Sequence, residues 1–270
     1  MPMVLRTPSP ALAPFVAALW HYEDAGELPH TRERILPSGS MQLLVNLHED
    51  ELRSYHGDDF GHLRRTRGAT IAGIHAGHFA IDTAEQRAIV GVSFHPGGAF
   101  PFFRAPADAL RETDVELDQL WGREGALLRE RLLEQPTPAA RLAALEATLL
   151  ARAVRPLTPD PALRLAIAAL EQNVPVATIG EHLGLSPRRL IALFSAQVGA
   201  PPKRFARLRR FQRVLTAITT QAPPSWAELA LQCGYFDQAH LIHEFRGFSG
   251  LHPTAYAARG AGGHNHVVLD

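Results

Sequence analysis

The chain has 270 residues, 46% of them hydrophobic, with 27 basic and 27 acidic side chains and one cysteine. That length allows a buried core in one large or two modest domains, while the lone Cys233 excludes an internal disulfide or a four-cysteine zinc knuckle and fits a reducing compartment. No window approaches the roughly 18 consecutive apolar residues of a membrane span, and MPMVLRTPSPALAPF lacks the basic flank and apolar run of a signal peptide, so a cytoplasmic protein without a membrane partner is expected.

The balanced total hides an asymmetry. Residues 1–149 carry 14 arginines against 20 acidic side chains, whereas residues 150–270 carry 13 basic against 7 acidic ones. The second part is basic, which points to a polyanion partner for that part alone. Lys203 is the single lysine.

In chain order, MQLLVNL (41–47), ATIAGIHAG (69–77) and AIVGVSFHPGG (88–98) have the apolar alternation and glycine punctuation of strands, which predicts a β-rich, barrel-like domain. Its histidines, His21, His30, His48, His56, His62, His75, His78 and His95, raise the question of a metal. The His75/His78 spacing would suit a helical face, but the glycine-rich surroundings favour strand or turn, so no metal site and no cofactor are assigned. HPGG is read as a turn in which Gly97 or Gly98 takes positive φ.

From Asp108 the pattern turns helical. WGREGALLRERLLEQ (121–135) aligns Leu127, Leu128, Leu132 and Leu133; Thr137 then caps, with Pro138 at the first position, a helix bearing Leu142, Leu145, Leu149 and Leu150. That helix, 137–154, is the candidate surface if the protein is a homodimer rather than a monomer. VRPLTPDP (154–161) breaks regular structure, because each proline disfavours helix at the preceding residue. The domains are placed at 1–155 and 156–270.

The second part repeats itself. Gly184, Leu190, Phe194, Gly199 and Pro202 recur as Gly234, Leu241, Phe245, Gly250 and Pro253, and an amphipathic segment, VATIGEHL or WAELALQC, precedes each set. Helix, glycine turn and second helix make a helix-turn-helix, here at about 176–199 and 226–250. PPKRFARLRRFQRVLTAI joins them as one helix over about 201–219, with Phe205, Leu208, Phe211 and Leu215 inward. Few acidic i,i+4 partners accompany its basic residues, which favours phosphate contact over a merely solvated face. The tail GHNHVVLD (263–270) is read as flexible.

In the second unit a helix capped by Asp237 turns Leu241, Phe245 and Phe248 inward and leaves Gln238, His240, Ile242, His243 and Arg246 on other faces. Gln pairs bidentately with adenine, and Arg or His reaches guanine acceptors or phosphates. In the first unit Ser186 caps and Pro187 starts a helix with Leu190, Phe194 and Val198 inward and Arg188, Arg189, Ile191, Ala192 and Ser195 outside. Cys233, at an apolar position beside Gly234, reads as a small core residue rather than a redox sensor.

Two helix-turn-helices joined by a basic helix, the second ending in GYFDQAHLIHEFRGFSGLHP, resemble the AraC/XylS family of transcriptional regulators over roughly residues 174–257. PSGSMQLLVNL and VGVSFHPGGAFPFF resemble the N-terminal domains of one AraC subgroup. The resemblance implies an α+β chain: a β-rich sensor or oligomerisation domain with following helices, then an all-α domain that binds double-stranded DNA. It implies a small-molecule effector at the first domain, with no residues assigned to it, and RNA polymerase as a further partner. It places Gln238, Ala239, His240 and His243, and in the first unit Arg188, Ile191 and Ala192, at base-facing positions. Ile191 and Ala192 offer no hydrogen bonds, so they either meet thymine methyl groups or leave the work to the arginines; the competing reading packs Ile191 on a neighbouring element. Arg189, Lys203, Arg209 and Arg246 are assigned to phosphates.

Two other functions compete: a metal-dependent β-barrel enzyme with a helical regulatory domain, and an architectural DNA binder without sequence preference. No HExxH, GxSxG, P-loop or dinucleotide motif appears, and a cysteine inside the second unit argues against an alkyl-transfer repair protein.

Overall fold

The structure, a computed structural model, describes residues 3–24, 26, 30–220, 225–259 and 264–269. Its first part is built from two antiparallel sheets. One has the order β1 (Met3–Arg6), β2 (Val16–Glu23), β9 (Ala88–Phe94), β4 (Gln42–Asn46), β7 (Ala69–Ala72) and β10 (Asp114–Glu116). The other runs β11 (His266–Val268), β3 (Arg32–Ile35), β8 (Phe79–Asp82), β5 (Leu52–His56) and β6 (His62–Thr66). The three expected strand segments are β4, β7 and β9, and β9, flanked by β2 and β4 in the middle of its sheet, is buried along most of its length, as its near-continuous apolar run requires. Gly91 leaves room there for the ring of Trp20, which covers the place a Cβ would fill. HPGG is a turn with Gly97 at φ +79°.

The region from Asp108 is less uniformly helical than its pattern suggests. A 3-10 turn at Ala107–Leu110 is followed by β10, which pairs with β7, before α1 (Leu117–Trp121), α2 (Arg123–Leu133) and α3 (Pro138–Ala151). Thr137 caps α3 through Oγ1, which accepts from the amide of Ala140. Of the leucines on α3, Leu142, Leu145 and Leu149 are core and only Leu150 is exposed. Core packing, the competing use of these leucines, therefore takes three of them and leaves Leu150 alone for any dimer surface; the apolar face lies on the protein's own sheet, where buried Glu146 also takes hydrogen bonds from Arg6 and the Ser9 amide, each at 2.6 Å.

The proline-rich connection is pinned rather than loose. Arg155 donates to the carbonyls of Phe100, Phe103 and Arg104 and lies over the Phe100 ring. Beyond it come α4 (Pro161–Glu171), α5 (Val176–Leu183), α6 (Pro187–Val198), α7 (Pro202–Thr220), α8 (Trp226–Gln232), α9 (Gln238–Ser249) and α10 (Pro253–Ala257). The core of this part hangs on α7. Phe205 meets Phe194 of α6 edge-on at 5.3 Å, whereas Phe211, six residues later, meets Phe245 and Phe248 of α9 at 5.2 and 5.1 Å.

The chain then returns to its beginning. Residues 266–268, within the tail expected to be flexible, form β11 and pair with β3 in the register His266↔Ile35, Val267↔Arg34 and Val268↔Glu33. Val267 is buried, and His266 Nδ1 lies 2.6 Å from a Glu33 carboxylate oxygen. A tail of mostly small and polar residues holds these two valines, and strand pairing uses them. Gly263 and Asp270 of that tail lie outside the described residues.

Candidate nucleic-acid interface

The two helix-turn-helix units are built by the same local chemistry. Ser186 and Asp237 stand in extended backbone before α6 and α9, and each side chain accepts a hydrogen bond from the amide three residues on, Arg189 at 3.3 Å and His240 at 2.7 Å. Aligned on these caps, Leu190 matches Leu241, Phe194 matches Phe245, and the left-handed C-cap glycines Gly199 and Gly250 coincide. In the turns, Leu185 and Tyr235 donate to equivalent carbonyls, those of Gly180 and Ala230. Phe236 is therefore the extra residue that makes the second spacing one longer.

The expected readers divide by exposure. Gln238, Ala239, His243 and Arg246 of α9 are exposed, as are Arg188, Arg189 and Ala192 of α6. Ile191 is 43% exposed, which removes the competing reading that packs it on a neighbour. His240 is only half exposed, its ring edge-on to Tyr235 at 5.2 Å and its Nδ1 3.4 Å from the amide of Phe236, so it supports the turn. Ser195, expected outside, is buried at 9% exposure and is withdrawn from the outer face. Phe236 was not singled out, yet it is 85% exposed immediately before the Asp237 cap. The one-residue difference between the repeats was the signal that marked it.

The linking helix corrects the argument from missing i,i+4 partners. Its carboxylates come from other elements of the fold: Arg209 Nε lies 2.9 Å from Glu171 of α4, Arg207 Nη2 2.7 Å and Arg210 Nη2 3.7 Å from buried Glu244 of α9. Arg213 donates to the Glu171 carbonyl at 2.8 Å and Arg204 faces Glu112 at 3.7 Å. Arg209, assigned to phosphate, is thus already held by a carboxylate; Lys203, Arg189 and Arg246 are exposed.

Cys233, His75 and His78 are placed as structural residues. Burial pushes the Cys233 thiol up, away from a reactive thiolate. His75 and His78 lie in the loop between β7 and β8, as the glycines suggested; His75 Nε2 is 2.9 Å from Asp114 Oδ1. Among the described residues no group of three or more His, Cys, Asp or Glu side chains is placed to hold a metal, and no helix is long and apolar enough to cross a membrane.

Comparison with known proteins finds a separate match in each part of the chain. A helix-turn-helix domain family matches residues 179–259, and a domain of unknown function, DUF6597, matches residues 6–116. No curated protein matches the chain. Among solved structures, the C-terminal domain of AraT, a response regulator from Geobacillus stearothermophilus, is 19% identical, with 38% of this chain and 90% of that one covered at a TM-score of 0.35. A DNA-binding transcriptional dual regulator from Escherichia coli K-12 is 24% identical over 38% of this chain and 100% of that one, with a TM-score of 0.33. ToxT from Vibrio cholerae is 10% identical over 86% of this chain and 97% of that one, with a TM-score of 0.48.

Proposed function

The chain carries an AraC-type helix-turn-helix domain at residues 179–259, the module of DNA-binding transcription regulators, and from that premise we propose that it regulates transcription by reading a specific DNA sequence with two recognition helices. One observation carries the reading. Both α6 and α9 bury their apolar faces and expose, at their N-terminal ends, side chains able to meet base edges or phosphates, on the part of the chain that is basic. Amide dipoles at those ends favour approach to phosphate.

In this reading Gln238 and His243 supply hydrogen bonds to bases, with Ala239 giving close approach, and His240 joins them only by leaving Tyr235. Arg188 is the hydrogen-bonding reader of α6, while Ile191 and Ala192 suit thymine methyl groups. Arg189, Lys203 and Arg246 take phosphates. Modulation by a small molecule at the N-terminal part belongs to the same proposal, with no residues assigned to it.

Selection of duplexes from a random library with the full chain tests the reading. Gln238→Ala or His243→Ala is expected to weaken binding to the selected site by about 1–3 kcal/mol and to leave scrambled duplex unaffected. Equal loss on every duplex would favour an architectural DNA binder, and failure to enrich any sequence would reject base reading.

A further inference from the structure

The N-terminal ends of α6 and α9 are free, but their C-terminal ends are not. Gly199 and Gly250, the equivalent left-handed caps at φ +94° and +68°, both face the N-terminal part of the chain. A Cβ on Gly199 would lie 3.1 Å from the carbonyl oxygen of Ala107; one on Gly250 would lie 2.6 Å from His78 Cε1 and 3.1 Å from Arg34 Nη1. The contact at α9 is the more elaborate. Arg34 Nη1, from β3, donates to the carbonyl of Ser249 at 2.8 Å, and the buried side of the His78 ring closes on the same helix end at Gly250. The guanidinium thus meets the last carbonyl of α9, where the helix presents partial negative charge.

Phe60 buttresses the pair. It sits in the β5–β6 connection at φ +56°, a conformation that a bulky side chain rarely adopts. From there its ring lies edge-on to His78 at 5.7 Å and beneath the Arg34 guanidinium at 5.2 Å. The opposite edge of β3 is closed by β11, so Arg34 projects from a strand paired on both sides.

We propose that Arg34 and His78, braced by Phe60, are positioning residues for DNA reading: they fix the C-terminal end of α9, Arg34 by its hydrogen bond and His78 by packing, and with it the angle between the two recognition helices. The N-terminal part then acts as a jig behind both readers, touching neither of their exposed ends. The proposal rests on the DNA-binding reading for its purpose, and on the geometry alone for its mechanical claim. A pre-set angle saves the ordering cost at binding and makes the protein selective for one spacing of half-sites.

Two measurements test it. In the full chain without DNA, spin labels at Ala192→Cys and His243→Cys report the separation of the readers; Cys233 is buried and leaves the introduced thiols as the reactive ones. A single narrow distance distribution is expected, broadened by Arg34→Ala and restored by Arg34→Lys, which returns a donor. An unchanged distribution in Arg34→Ala and in His78→Ala would overturn the clamp whatever DNA does. On DNA, inserting one base pair between the selected half-sites rotates one by about a tenth of a turn. The native chain should lose about tenfold or more, and Arg34→Ala roughly threefold or less, with isolated half-site affinity unchanged. Equal spacing profiles would also overturn the proposal. A native chain that selects no duplex, yet whose label distances broaden as expected, would reject the DNA reading and keep the clamp.

Discussion

Glu244 shows how a single side chain can mislead a face-by-face reading. It lies on α9 between apolar positions, and it is buried because two arginines of α7 arrive to meet it, Arg207 at 2.7 Å and Arg210 at 3.7 Å. His56 is a second case in which surroundings decide chemistry. It stacks on Phe79, neighbours His75, and bonds Ser54 Oγ at 2.9 Å. Burial foremost, then the nearby positive charge of Arg64 and the imidazoles of His75 and His62, against the opposing pull of Asp114, lower its pKa to about 4 from 6.5. The folded chain therefore keeps His56 neutral while the unfolded chain takes up a proton, so stability is lost as pH falls from 6.5 towards 4. Glu85 acts in the opposite sense. Burial lifts its carboxyl from 4.5 to about 7, and its contribution is lost as pH rises through that window. Thermal melts of His56→Gln should accordingly gain on the native chain at pH 5 relative to pH 8. An equal difference at both values would show that His56 does not titrate with folding.

Among the elements, α7 changes its meaning most between sequence and structure. Its apolar positions were legible, because Phe205, Leu208, Phe211 and Leu215 recur at helical spacing and all are buried. Its charges were not, because the partners of Arg209 and Arg207 lie 38 and 37 residues away in sequence, beyond any i,i+4 rule. The caps Ser186, Asp237 and Thr137 were readable for the opposite reason: each bonds an amide three residues on. β10 and β11 were missed because three-residue strands carry too few alternations to register against their neighbours. Two exposures were not legible: His240, a candidate DNA reader, and Ser195, expected on the outer side of α6, owe their burial to contacts that only the folded chain supplies. These pairings set a salt prediction. Arg189→Gln should reduce the slope of log affinity against log salt by about 0.9, whereas Arg209→Gln should leave it nearly unchanged. Equal reductions, measured by titration at several salt concentrations, would mean that Glu171 releases Arg209 to DNA.

At the scale of the whole molecule, the two parts are joined by more than the connection at residues 155–160. Gln212 of α7 donates to the Pro37 carbonyl at 2.7 Å, Leu163 packs where Gly97 has no side chain, and β11 adds a strand to the far sheet. Contacts spread this widely should make the full chain unfold in one calorimetric transition. Removing residues 264–270 takes away β11 and buried Val267, and is expected to lower the first midpoint and to separate the unfolding of the two parts. A single transition at the native midpoint in the shortened chain would show that β11 contributes nothing to the coupling.

The pairing of β11 with β3 also orders events during synthesis. Every strand of the second sheet except β11 has left the ribosome before α4 is made, but the β3 edge waits until α5 to α10 have followed. Through that interval the nascent chain presents an unpaired edge, the kind of surface that invites other strands. Its completion requires the helix-turn-helix part to have emerged and folded close enough to deliver residues 266–268. The last step of making the N-terminal sheets is therefore a late, long-range closure, and a chain stalled before it would carry finished helix-turn-helix units on an unfinished sheet.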